Sequence, residues 1–177
     1  MSAVGESLSE DHPALRRLLD KDALVDLVHR YSYCVDHQLS DELSALFTDD
    51  CVIDYGAGFA PVVRGRSAFR AMLAKNDERP GYLATSHHNA NVLVVFDTDD
   101  QATVRTSVYA WHRTTAGATP QVWGHYHDVA VRTPEGWKLR ERRLHLLGVD
   151  IEGWDGDYHR AAHTCPAIAA PGVPTGW

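Results

Sequence analysis

The stretch "ATSHHNANVLVVFDTDDQATVRTSVYAWHR", residues 84–113, contains two runs that alternate as β-strands do, parted by the polar "DTDDQ". Two more such runs follow, so strands are predicted at about 86–96, 102–115, 121–133 and 137–149, joined by "DTDDQ", "AGATP" and "TPEG". Connections this short make an antiparallel meander. Upstream of the turn-like "DERPG" the periodicity is helical. Leu24, Leu27, Val28, Tyr31 and Val35 mark a helix from Lys21, with Asp22 near its positive end. "SDELSALF" predicts a short helix capped by Ser40, "CVIDYG" a strand, and "GRSAFRAMLAKN" a third helix capped by Ser67 and buried through Phe69, Met72 and Leu73. Helices first and a curled antiparallel sheet second make an α+β fold, with the helices on one face of the sheet.

Composition narrows the function. At 177 residues the chain is read as one domain, 1–177, with a core of about 15–150. A net charge of −7, from 24 acidic against 17 basic residues, argues against nucleic acid and against an anionic membrane surface. A small molecule or another protein is the expected partner. Cys34, Cys51 and Cys165 are odd in number and lack metal-ligand spacing, so neither zinc nor a disulfide framework is expected. No Gly-rich phosphate loop suggests a cofactor. "MSAVGESLSEDHPALRRLL" lacks the basic start and apolar run of a signal peptide, and nowhere do about 18 apolar residues run together. A cytoplasmic location is the expectation. The final "HTCPAIAAPGVPTGW" is too rich in Pro and Gly for a regular element, yet apolar enough to dock, and is read as a lid or an interface segment.

Four polar residues fall where apolar ones would be cheaper: Asp36, Tyr55, His87 and His112. His87 and His88 cannot face the same way along a strand. In "VRTSVYAWHR", Thr106, Val108, Ala110 and His112 share one face and can line a cavity with His112 as its polar member. A carboxylate beside an imidazole orients the ring and stabilises its charged form, which suits the ring to remove a proton at neutral pH. Such a device serves β-elimination, isomerisation or cyclisation. Taken singly, each residue has a plainer explanation. A strand histidine is more often structural than catalytic, Asp36 could simply end a helix, and Tyr55 could be a core tyrosine.

Together the residues resemble a known group. "YSYCVD" with "LSDELSALFTDDCVIDY", "TSHHNANV" and "GHYHDVAVRTPEGWKLRERR" are similar to segments of the SnoaL-like branch of the nuclear-transport-factor-2-like superfamily. Within it they resemble the scytalone dehydratase, bile-acid 7α-dehydratase and lindane dehydrochlorinase group over about residues 15–150. The resemblance implies a cone-shaped barrel of curved sheet and a cofactor-free dehydratase, a lyase acting on an alicyclic or polyketide-like molecule, in a homo-oligomer of two or three copies. It implies His87 as base, being four residues before Asn91, with Asp36 holding it and Tyr55 and His112 assisting the leaving hydroxyl. Aligned on the bile-acid enzyme, the histidine roles shift by one residue, to His88. Tyr31, Val35, His88 and Asn91 are the implied substrate-binding residues. Val35 and Ala130 depart from the scytalone dehydratase pattern, which argues against scytalone itself. An isomerase, cyclase or epoxide hydrolase of the same fold remains open, as does a non-catalytic module that binds a ligand or assembles subunits.

Overall fold

The computed structural model describes residues 12–56, 59–78 and 81–151. Helix α1, Pro13–Asp36, leads into a short α2, Ser40–Ala45, and strand β1, Phe47–Asp54. A two-residue strand β2, Val63–Arg64, and helix α3, Arg66–Glu78, precede four long strands. These are β3, Tyr82–Phe96; β4, Gln101–Thr114; β5, Gln121–Thr133; and β6, Gly136–Asp150. The expected α+β arrangement is present, and the four strands form the expected meander.

The six strands make one open sheet in the order β2-β1-β6-β5-β4-β3. It is not wholly antiparallel, because β1 joins the free edge of β6 in parallel. Bulges in β3, in the β5–β6 pairing and between β1 and β6 increase its curl, and α1 lies along the inner face, touching β3 and β6. The main core forms there, from Leu24, Leu27, Val28 and Tyr31 of α1 with Phe47, Ile53, Val104, Val108, Tyr126 and Leu139 of the sheet. A separate apolar cluster, Ala110, Val122 and Leu146, occupies the same face in the strand rows that contain His87 and Asn89.

Three local expectations are corrected. α1 begins at Pro13, not near Lys21, because His12 caps it through Nδ1 and proline suits its first position. Ser40 lies inside α2, and its hydroxyl donates to Asp77 on α3, joining two helices instead of capping one. Ser67 is likewise inside α3, whose first turn is entered from Gly65 at φ 86°. The tail expected to act as a lid or interface, from residue 152 on, lies outside the described residues.

Candidate active site

One match of repeats places the candidate residues. Along α1, Val28, Ser32 and Asp36 recur every fourth residue and form a single stripe, advancing about 6 Å per step. On β3, Thr85, His87 and Asn89 recur every second residue on the inner face, advancing about 6.6 Å per step. The two ladders therefore stay in step where helix and strand run side by side. Asn89 donates its amide to the Val28 carbonyl (3.0 Å) and to Ser32 Oγ (2.6 Å). One rung further, the Asp36 carboxylate receives the Thr85 hydroxyl at Oδ1 (2.8 Å) and the His87 backbone N–H at Oδ2 (2.8 Å).

The same register delivers the His87 ring, whose Nδ1 lies 2.7 Å from Asp36 Oδ1. A carboxylate can only accept, so Nδ1 carries a proton, and in the neutral ring Nε2 is the basic nitrogen. The pair is well covered, with side-chain exposures of 9% for His87 and 20% for Asp36. Burial alone would push the Asp36 carboxyl up. The His87 ring, the His87 N–H and Thr85 together overrule it and hold the group at about 2, so it is ionised at neutral pH.

His112 stands across from Thr85 in the β3–β4 register, with its ring edge-to-face on His87 at 5.5 Å between centroids. Its Nδ1–H points to the Pro120 carbonyl at 3.3 Å. Burial, and then the neighbouring His87 ring, lower its basicity, so it is neutral at pH 7. In that form its other nitrogen accepts and does not donate. Tyr55, just after β1, shares a 2.7 Å hydroxyl–hydroxyl hydrogen bond with Tyr31 of α1. Burial, followed by the neighbouring phenols Tyr31 and Tyr126, raises Tyr55 well above the usual tyrosine range. It remains a phenol, able to donate. Val35 is half-buried against the main core, beside this group.

The dyad's own contacts are with Thr85 and His112, the Tyr31–Tyr55 pair belongs to the main core, and two implied residues are turned away. His88 lies on the outer face, exposed, with Nε2 3.0 Å from Ser86 Oγ and its ring near Tyr109. Asn91 would share the face of His87 in a regular strand. β3 is irregular between Ala90 and Leu93, however, and Asn91 adopts φ 51° with its amide turned out toward Ser107 Oγ at 3.4 Å. Asparagine tolerates that left-handed backbone, which is a physical reason for its presence. The asparagine that faces α1 is Asn89.

Thr85 and Asn89 were missed although the alternation that singled out His87 contains both. Also unanticipated is a fully buried ion pair beneath the tyrosines. Arg142 of β6 donates from Nε and Nη2 to the two carboxylate oxygens of Asp128 on β5, at 2.9 and 2.7 Å, with both side chains at 0% exposure. Its guanidinium lies 3.8 Å from the Tyr31 ring centroid and 4.2 Å from that of Tyr126. Opposite charges at directly paired positions of neighbouring strands were the available signal.

Among the described residues, no group of three His, Cys, Asp or Glu side chains is arranged to hold a metal ion, and no helix is long and apolar enough to cross a membrane. A family model described as the SnoaL-like domain matches residues 16–143. A crystal structure named "Putative Scytalone Dehydratase" from Novosphingobium aromaticivorans is 31% identical, covering 81% of this chain and 91% of that one, with a TM-score of 0.70. A protein from Kribbella flavida is 26% identical over 76% of this chain and 95% of its own, with a TM-score of 0.68. A hexachlorocyclohexane dehydrochlorinase, LinA type 2, shares the fold at a TM-score of 0.70 and 19% identity, covering 90% of this chain and 99% of its own. No curated protein sequence gave a match.

Proposed function

Because the chain belongs to the SnoaL-like family, we propose that it is a cofactor-independent lyase, a dehydratase of a small alicyclic or polyketide-like molecule. The observation that carries this reading is the covered Asp36–His87 pair, with Nδ1–H committed to an ionised carboxylate and Nε2 free. In the proposed step, His87 Nε2 removes a proton beside an electron-withdrawing group while Asp36 stabilises the imidazolium that forms. The electron pair of the C–H bond becomes the new double bond as the C–O bond breaks. Tyr55 donates a hydrogen bond to the leaving oxygen, and the imidazolium then gives its proton to the departing hydroxide, so one water leaves and the groups return to their starting state. His112, neutral and tied through Nδ1, accepts from the substrate hydroxyl and orients it. It does not supply the proton.

The apolar wall of Ala110, Val122 and Leu146 in the rows of His87 and Asn89 supports a hydrophobic ring as the substrate body. We further place the protein in the cytoplasm as a homo-oligomer of two or three copies. Free Cys34 and Cys51 support the location, and exposed Leu93, Trp123 and Leu147 on the outer sheet support the assembly.

The experiment is a panel of cyclic β-hydroxy ketones, with the loss of one water followed by mass spectrometry. Asp36→Asn should reduce kcat on the responding substrate by about two to four orders of magnitude, the scale of general-base catalysis. Turnover close to that of the wild type would remove the dyad from the mechanism.

A further inference from the structure

Thr85 touches the dyad and has no part in the step proposed above. On β3 it lies two residues before His87, on the same inner face and opposite His112. Its hydroxyl donates to Asp36 Oδ1 at 2.8 Å, and the same oxygen accepts the His87 Nδ1–H at 2.7 Å. A carboxylate oxygen has two lone pairs, so these two donors fill it. The other oxygen takes the His87 backbone N–H.

The three donors have different consequences. The backbone N–H fixes where the carboxylate sits but is the same whatever residue follows the strand register. The ring N–H is the interaction the chemistry uses. The hydroxyl shares an oxygen with the ring, so it does two things at once: it locks the rotation of the carboxylate about its last bond, and it draws on the electron density that holds the imidazole proton. We propose that Thr85 is a positioning residue, whose hydroxyl fixes the Asp36 carboxylate for His87 and moderates how tightly that carboxylate holds the ring. The inference rests on the Asp36–His87 reading of the site and assigns it a third member.

A plainer role exists for a threonine here. It is β-branched, suits a strand, and could be present for its shape alone. Valine has the same shape without the hydroxyl, which makes Thr85→Val the discriminating change. The direction follows from the shared oxygen. Without the hydroxyl the ionised carboxylate loses a donor, so it becomes easier to protonate, and its whole demand at Oδ1 falls on the ring N–H.

The test uses the full chain and needs no substrate. Asp36 is followed through its carboxyl carbon resonance and His87 through its Nδ1–H proton resonance. In Thr85→Val the Asp36 titration should rise from about 2 by about one pH unit. The His87 Nδ1–H resonance should move downfield in the same variant. Thr85→Ser, which keeps the hydroxyl, should restore both. If the valine variant does not fold, Thr85→Ala removes the same donor and is read in the same way. Val or Ala variants with both signals at wild-type positions would overturn the role of Thr85 while leaving the dyad standing, provided Asp36→Ala, which removes the acceptor, abolishes the Nδ1–H signal. An Asp36→Ala protein that retains that signal at its wild-type position would bring down the dyad and, with it, both proposals.

Discussion

His87 and His88 are the same residue type, adjacent on one strand, and their surroundings share almost nothing. On the inner face His87 meets a helix whose fourth-residue stripe ends in a carboxylate, and it is buried and oriented through that contact. On the outer face His88 has a serine of its own strand and the edge of Tyr109, in contact with solvent. No helix among the described residues crosses that side of β3. What differs is therefore not the histidine but the element opposite it. Alternation assigns each ring to a face, and the helix stripe gives one face its chemistry.

The sharpest way to break the comparison is to delete each ring in turn. His87→Ala should cost about two to four orders of magnitude in kcat, as removal of a general base does, whereas His88→Ala should stay within about threefold. Measured on one responding substrate, the reverse ordering would mean that the outer face is the working one. It would also mean that the helix register described here does not govern the chemistry.

A smaller effect is expected on the other side of the pocket, where the groups donate or accept hydrogen bonds and do not move the carbon-bound proton. Tyr55→Phe and His112→Gln should each slow turnover by about tenfold to a few hundredfold, the range of a single hydrogen bond to developing charge. Both would contact the same leaving oxygen, one donating and one accepting, so the double variant should lose less than the product of the two single losses. Strict multiplication in the double variant would place them on separate parts of the substrate.

The same contrast shows what could be read from the sequence. The meander and the inner face of β4 were legible because period-2 alternation is local, and short turns leave few pairings to choose from. That Asp36 and His87 belong together came from a resemblance, since 51 residues of chain separate them and no local pattern links them. The parallel joint of β1 to β6 was illegible for the same reason: strand direction there is set by packing far along the chain. Asn91 was misplaced because counting four residues on from His87 assumes an unbroken strand, and the irregularity at Ala90–Leu93 uses up part of that count. The buried Asp128–Arg142 pair was overlooked because charged residues in a strand are ordinarily assigned to water.

The smallest effect, and the one that isolates the dyad from catalysis, is in stability against pH. The Asp36 carboxyl is held at about 2 in the fold, against an ordinary value of 3.8. A carboxyl whose value is depressed by folding contributes stability above its unfolded value and loses it as pH falls through the folded one. The window is therefore about pH 4 down to about pH 2, and stability should fall across it. Full conversion of the shift would overstate the contribution, since Asp36 is partly open to solvent and its charge is screened, so about 1–2 kcal/mol is expected. Denaturant titrations at pH 5 and at successive lower values should show this loss in the wild type. Asp36→Asn has no carboxyl to protonate, so its own pH dependence should be shallower by that amount. If wild type and variant lost stability in parallel, the ion pair would be absent in solution, and the inner and outer histidines would differ in burial alone.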